Sequence, residues 1–269
     1  MDQTKLRLCR SLLFLPASNP RAIEKARGLP ADMVILDCED AVKAEDKDSA
    51  RAAALEAAEQ GFQAEFCAIR INAAGSPWYG HDVVAMRRSK ADFVVIPKAE
   101  GHQQMKDVGR LVERPLLAMI ETAVGVLNAP SIAADTAGLI AGTNDLSADL
   151  AIPPGSGRAG LSYSLQAVVL AARSAGVAAF DGVYNELDDE EGLRAQCEQG
   201  KAFGFDGKSL IHPSQIDTAN QVFEPSEEQI AVAERLLAAA TGGAERFEGR
   251  MIESMHVAQA RAVLAKARR

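Results

Sequence analysis

The sequence lacks two features that would assign it quickly to a class of protein, a long apolar run and an excess of positive charge. No apolar run approaches the roughly 20 residues that a membrane-spanning helix needs, so we expect no membrane contact. The formal net charge is −8, whereas nucleic-acid phosphates are bound by clustered lysine and arginine. We therefore expect no nucleic-acid partner.

The sequence also has few cysteines and no cysteine motif. The four cysteines are widely spaced, without a Cys-x-x-Cys pair, which predicts buried free thiols rather than disulfides or a zinc site. Basic residues precede a short apolar stretch near the N-terminus, but that stretch is shorter than the about 7 residues of a signal-peptide core and ends at Pro16. We interpret the stretch as a buried strand and expect a cytoplasmic protein.

Short apolar runs, separated by segments with helical spacing, recur along the chain. The runs cover residues 11–15, 33–36, 66–71, 92–96, 115–120, 138–141, 178–180 and 208–211. Strands that alternate with helices indicate a parallel α/β fold. A length of 269 residues suits one α/β barrel.

Polar residues follow these runs directly, and seven of the eight predicted strand ends hold an ionisable group. An open doubly wound sheet gathers its active groups at one switch point. A closed eight-stranded barrel instead brings every C-terminal strand end to one mouth. We therefore predict a TIM (β/α)8 barrel over residues 1–223.

The chain continues beyond the eighth predicted strand for longer than one closing helix requires. The spacing predicts helices over residues 224–240 and 251–267, with a break at Thr241-Gly242-Gly243. We interpret residues 224–269 as a helical extension of the barrel domain that covers the mouth or packs on a neighbouring subunit. We accordingly expect a homo-oligomer.

Glu121 and Asp145 each end an apolar run and precede helix-forming sequence. Two carboxylates on successive strands can share one Mg²⁺, which usually takes one or two carboxylates together with water and substrate oxygens. From spacing alone, metal binding and stabilisation of a helix N-terminus explain these two acids equally well.

Arg70 lies within an otherwise buried strand, where a guanidinium cannot stay unpaired. It must meet a carboxylate, either Glu39 or Asp40 or one from the substrate; we favour a substrate oxygen, with a structural ion pair as the rival. Lys98 could form a Schiff base or orient nearby acids, and the acid pair at Glu121 and Asp145 favours the second role.

Six segments around the strand ends carry a resemblance to a known family. They cover residues 10–16, 36–42, 70–72, 97–98, 120–125 and 204–213. They resemble the citrate lyase β-subunit-like (CitE-like) family of the HpcH/HpaI aldolase superfamily, from about Arg10 to about Met255. The resemblance implies a TIM barrel, usually trimeric, that uses Mg²⁺ to cleave or form a carbon–carbon bond in malyl, citramalyl or citryl thioesters.

The resemblance also implies roles for individual residues. Glu121 and Asp145 would be the Mg²⁺ ligands, and Arg70 would contact the substrate near the scissile bond. The remaining predicted site residues are Pro16 and Asn19 near the CoA arm, Lys98 and Glu121 on the substrate, and Glu39 and Asp40 beside Arg70 as catalytic acids.

In the malyl- and citramalyl-CoA lyase branches, an aspartate of the C-terminal extension carries a proton to the neighbouring subunit's mouth. The matching segment here is Gly249-Arg250-Met251-Ile252-Glu253, which implies that Glu253 carries the proton. Glutamate reaches one methylene further, and a misplacement of about 1 Å can cost on the order of 100-fold in rate. A second departure is Asn144-Asp145, where citrate lyase β subunits typically have Glu-Asp.

These features predict a Mg²⁺-dependent CoA-ester lyase that acts on malyl-CoA or citramalyl-CoA ahead of citryl thioesters. One alternative is a metal-dependent aldolase on free hydroxy acids, which Asn144-Asp145-Leu146-Ser147 favours. The others are a CoA thioesterase and a non-catalytic lyase β subunit that works only with partner chains.

Overall fold

Eight parallel strands close into a barrel in chain order, with the first strand hydrogen-bonded to the eighth. The structure is a computed structural model that describes residues 3–241 and 243–267. The strands are β1 (Ser11–Pro16), β2 (Met33–Asp37), β3 (Phe66–Arg70), β4 (Phe93–Ile96), β5 (Leu116–Ile120), β6 (Gly138–Ala141), β7 (Ala178–Asp181) and β8 (Gly207–Leu210). The predicted TIM barrel is confirmed, and each predicted strand boundary lies within one residue of the observed one.

Helices alternate with most of the strands, and further helices follow the last strand in the sequence. They are α1 (Gln3–Leu6), α2 (Pro20–Ala26), α3 (Lys47–Gln60), α4 (Tyr79–Met86), α5 (His102–Val112), α6 (Ala123–Ala133), α7 (Thr143–Asp149), α8 (Ser162–Ala175), α9 (Glu190–Phe203), α10 (Ile216–Phe223), α11 (Glu227–Ala239) and α12 (Ser254–Ala267). Over the described ranges, no helix combines the length and the apolar character that crossing a membrane would require.

The inside of the barrel changes from apolar to charged toward the C-terminal ends of the strands. Side chains alternate along a strand, so Phe66 and Ala68 of β3 belong to the apolar cluster inside the barrel and Arg70 follows on the same face. On β5, Met119 belongs to this cluster and the same alternation leads to Glu121. The packed lower layers thus support a charged layer at the mouth.

A second buried cluster lies outside the barrel, between its wall and α9. Lys208 Nζ lies 3.1 Å from Asp181 Oδ2 and donates to Gln196 Oε1 of α9 at 2.7 Å. Arg158, from the loop before α8, donates to Asp181 Oδ1. Asp181 and Lys208 are fully buried, so the ionisable group at the end of β7 supports the wall rather than the mouth.

The chain divides into two compact units, one up to Asn220 and the other from Gln221. In the second unit α11 packs on α12 around a small apolar cluster that includes Leu236 and Ile252. Gly242 of the predicted break lies outside the described residues. The assignment of this unit to the barrel domain stays a prediction.

The last predicted helix is wrong at its N-terminal end. Residues 250–252 form a strand, β10 (Arg250–Ile252), that pairs antiparallel with β9 (Glu245–Phe247). Glu248 and Gly249 both have positive φ, 45° and 82°, as a two-residue type I′ hairpin turn requires. The turn therefore delays the helix until Ser254 and leaves Glu253 between β10 and α12.

We predict that Asp181→Asn lowers the free energy of unfolding by about 3–5 kcal/mol, because Lys208 and Arg158 lose their charged partner in a buried site. Urea unfolding monitored by circular dichroism measures the change. Asp188→Asn is the control: Asp188 is exposed in the following loop, and its replacement should stay within about 0.5 kcal/mol. Equal small effects for both variants would contradict the prediction.

Candidate active site at the barrel mouth

A cavity of about 390 Å³ opens at the C-terminal ends of the strands. Five of the predicted site residues line it, namely Pro16, Asp40, Arg70, Glu121 and Asp145. The C-terminal face is where TIM barrels hold their active sites. The strand ends therefore bring together residues that are far apart in the sequence.

Arg70 is paired with Asp37, a residue that the sequence analysis did not assign to the site. Its Nε donates to Asp37 Oδ1 at 2.7 Å and its Nη2 to Oδ2 at 2.6 Å, which makes a bidentate ion pair. Asp37 and Arg70 are register partners on β2 and β3. The pair could have been found from this register, because both side chains point into the barrel.

Glu39 and Asp40 lie near Nη1, the remaining nitrogen of the Arg70 guanidinium. Arg70 Nη1 is 3.1 Å from Glu39 Oε2 and 3.9 Å from Asp40 Oδ2. Burial would lower the pKa of Arg70, but the hydrogen bonds and charge of Asp37, with the charges of Glu39 and Asp40, raise it instead. Arg70 therefore stays charged although it is buried.

Glu39 is the acid of this group that can exchange a proton near neutral pH. Burial raises its pKa from 4.5 to about 8, despite the opposing charge of Arg70. Its buried Oε2 accepts no hydrogen bond from the described residues. Lys47 Nζ donates to the carbonyl oxygens of Cys38 and Glu39 at 3.0 and 2.7 Å, so the backbone that carries Glu39 is held in place.

Glu121 is buried at the end of β5 and accepts a main-chain hydrogen bond from the end of the preceding strand, β4. Lys98 N donates to Glu121 Oε1 at 2.7 Å, from a residue with a φ of 46°. Burial raises the pKa of Glu121 to about 7, with a further increase from the charge of Asp145. Gly142 lies so close that a Cβ there would be 2.5 Å from Glu121 Oε2.

Asp145 lies in the first turn of α7, and its side chain is 41% exposed. Lys98 Nζ is 4.0 Å from Asp145 Oδ2, consistent with a lysine that orients the acids. In residues 3–241 and 243–267 no cluster of three or more His, Cys, Asp or Glu forms a metal site by itself. A pair of carboxylates beside an open cavity instead fits Mg²⁺, which takes its remaining ligands from water and substrate.

Four predicted site residues are absent from the cavity lining. Glu39 and Lys98 lie beside residues that line it, whereas Asn19 and Glu253 make other contacts. Asn19 caps α2, where its side chain accepts the N–H of Ala22 at 3.1 Å. Glu253 lies in the second unit, exposed, and its N–H donates to His256 Nδ1 at 3.0 Å. The roles predicted for both residues stay predictions.

A (β/α)8 barrel with paired carboxylates, a buried arginine and a cavity at its C-terminal face defines a TIM-barrel enzyme. The chain belongs to the HpcH/HpaI aldolase/citrate lyase family, whose sequence pattern matches residues 10–213. A second pattern, that of the C–C bond lyases of the TIM-barrel fold, matches residues 159–269. The predicted family is confirmed.

Relatives and solved structures agree with this membership. A (3S)-malyl-CoA thioesterase of Cereibacter sphaeroides strain KD131 is 44% identical, over 96% of this chain and 94% of the relative. The citrate lyase subunit beta of Leuconostoc mesenteroides subsp. cremoris is 33% identical, over 96% and 93%. The crystal structure of Mycobacterium tuberculosis CitE with magnesium, acetoacetate and coenzyme A has a TM-score of 0.82 and 35% identity, over 96% and 98%.

We predict that Glu39 makes the metal-free protein less stable as the pH rises. Because the folded state raises its pKa from 4.5 to about 8, the folded protein holds an extra proton over this range and loses stability as the pH passes through it. Glu121 should contribute in the same direction, with its pKa of about 7.

Urea-unfolding midpoints of the metal-free protein at about pH 5 and about pH 8 measure this effect. Glu39→Gln should reduce the difference between the two midpoints, because the amide does not ionise. Glu100→Gln is the control and should keep the original difference, since Glu100 is exposed and is not among the charges that shift the pKa of Glu39 or Glu121. An unchanged difference in Glu39→Gln would show that Glu39 does not hold the extra proton.

Proposed function

We propose that the chain is a Mg²⁺-dependent enzyme that acts on the CoA thioester of a short 3-hydroxy dicarboxylic acid, with malyl-CoA as the first candidate. The observation that carries the proposal is the pairing of two acids, Glu121 and Asp145, with the buried Arg70 around one cavity. The relative named (3S)-malyl-CoA thioesterase and the CitE structure with magnesium and coenzyme A support the metal and the substrate class.

Glu121 and Asp145 would hold the metal ion. Bound Mg²⁺ would supply a Lewis acid that orients the substrate's carboxylate and hydroxyl oxygens. Burial raises the pKa of Glu121 and the charge of Asp145 raises it further, so a bound cation would favour the ionised form of Glu121. Lys98 holds Glu121 through its backbone N–H and stays our prediction for a substrate contact.

Arg70 would stabilise negative charge during the reaction, and Glu39 would exchange protons. Arg70 lines the cavity, and its Nη1 would stabilise an oxygen that gains negative charge during the reaction. Glu39 lies 3.1 Å from that nitrogen, and its pKa of about 8 suits proton exchange near neutral pH. Asp40, whose side chain is more exposed, would contribute negative charge beside Arg70 and Glu39.

Two reactions use this arrangement. In hydrolysis, water attacks the thioester carbon, a carboxylate takes the water proton, and the thiolate of CoA leaves and is protonated. In carbon–carbon cleavage, a carboxylate takes the hydroxyl proton, the electrons of the broken bond form the enolate of acetyl-CoA, and a second acid protonates the enolate carbon. The relatives at higher identity favour hydrolysis, whereas the lyase pattern favours cleavage.

Product analysis distinguishes the two reactions. We expect the purified chain with Mg²⁺ to convert malyl-CoA, either to malate and free CoA or to glyoxylate and acetyl-CoA, with citramalyl-CoA and citryl-CoA tested in parallel. Glu121→Ala should lower Mg²⁺-dependent turnover by at least about 100-fold through loss of a metal ligand. Glu100→Ala, an exposed acid two residues after Lys98, should retain activity.

Three outcomes would count against this proposal. Undiminished turnover in Glu121→Ala would remove the metal-ligand assignment. No conversion of any of the three thioesters by the wild-type chain would favour the partner-dependent subunit, and cleavage of free hydroxy acids alone would favour the aldolase alternative.

We further propose that Glu253 protonates the enolate carbon, delivered by a neighbouring subunit of a homotrimer. Glu253→Gln should abolish carbon–carbon cleavage because an amide is too weak an acid to protonate the enolate, and Glu253→Asp should retain or raise cleavage. Light scattering should give three times the chain mass for the wild type and for both variants. A trimer whose cleavage survives Glu253→Gln would exclude Glu253 as the proton carrier.

A further inference from the structure

The helix that carries Asp145 begins without a side-chain cap. Its N-cap residue is Gly142, and no side chain hydrogen-bonds at this cap. A larger residue is excluded there because a Cβ would lie 2.4 Å from Glu121 Cβ and 2.5 Å from its Oε2. A capping side chain typically stabilises a helix start by about 1 kcal/mol, and α7 is only seven residues long.

The first turn of α7 is instead held from the neighbouring strand end. Asn144 Nδ2 donates to Asn185 Oδ1 at 3.2 Å, and Asn185 Nδ2 donates back to Asn144 Oδ1 at 2.8 Å. Asn185 lies in the loop between β7 and α9, and Asn144 directly precedes Asp145. Two reciprocal hydrogen bonds fix the orientation of both side chains, which a single bond would not.

The loop that carries Asn185 is itself fixed to the end of β8. Gln215 Nε2 donates to Tyr184 O at 2.9 Å, and Gln215 Oε1 accepts the N–H of Ile211 at 3.0 Å. Gln215 is 2% exposed, so this connection is buried. Amide groups therefore link the first turn of α7 to the β7 loop and the β7 loop to the β8 strand end.

We propose that Asn185 is a positioning residue for Asp145, acting through Asn144. The pair ties the uncapped first turn of α7 to the β7 loop, and it holds the turn in which Asp145 can face Glu121. This inference rests on the proposed function, in which Asp145 binds Mg²⁺. Asn185 is absent from the cavity lining, so it contacts the α7 turn rather than the substrate.

The test is the affinity for Mg²⁺, measured by isothermal titration calorimetry without substrate. Asn185→Leu keeps the side-chain size and removes the amide, and we expect the Kd for Mg²⁺ to rise about 10-fold to 100-fold, as for lost outer-shell partners of metal ligands. At saturating Mg²⁺, kcat and the KM for the acyl-CoA should stay near wild type. The unfolding midpoint in EDTA checks that the variant is folded.

Three further variants, Asn144→Leu, the double variant and a control, show whether Asn185 acts through the amide pair. Asn144→Leu/Asn185→Leu should bind Mg²⁺ no more weakly than the weaker of the two single variants, because both substitutions break the same pair. Asn220→Leu is the matched control: its amide donates to Pro30 O, which precedes β2 at the opposite end of the barrel, and its Mg²⁺ affinity should equal that of the wild type.

Unchanged Mg²⁺ affinity in Asn185→Leu, an equal loss in Asn220→Leu, or additive losses in the double variant would overturn the inference. Asp145→Asn separates this result from a failure of the proposed function. If Asp145→Asn binds Mg²⁺ as well as the wild type, the metal-ligand assignment fails. If Asp145→Asn weakens binding and Asn185→Leu does not, only the positioning inference fails.

Discussion

The ion pair between Asp37 and Arg70 is the interaction on which the barrel mouth depends. Both side chains are buried, and removing one partner of a buried pair typically costs about 3–5 kcal/mol. Asp37 also accepts the N–H groups of Glu39 and Ala41, at 2.8 and 3.1 Å. One carboxylate thus fixes the guanidinium and the loop after β2, and this is why Glu39 lies on the third nitrogen of Arg70.

The other half of the mouth is held by the main chain. Lys98 has a φ of 46°, a conformation that costs a residue with a side chain about 1–2 kcal/mol, and in it the Lys98 N–H binds Glu121. Gly142 leaves room for the same carboxylate. Because Gly142 must leave room for Glu121, the helix that carries Asp145 begins without a side-chain cap. It is held instead by a contact from the loop after β7.

The sequence indicates the strands and their polar ends well, because buried parallel strands are short apolar runs and side chains alternate along them. The same alternation places Arg70 and Glu121 inside the barrel, but the partner of Arg70 depends on the register between β2 and β3. An apolar pattern around Met251 does not distinguish a helix from a hairpin strand. The turn at Glu248 determines that this segment forms a strand. The site at which Glu253 acts depends on how the subunits assemble, and the sequence pattern of a single chain does not describe that.

The charges at the mouth connect the metal with the proton chemistry. Five acids, Asp37, Glu39, Asp40, Glu121 and Asp145, accompany two cationic side chains, Arg70 and Lys98. A dicarboxylic acyl group would add negative charge to this excess, so its binding would depend on a divalent cation. A cation at Glu121 and Asp145 would keep Glu121 ionised against its raised pKa. Glu39, which faces Arg70 rather than the proposed ion, would then remain the buried acid with a proton to exchange.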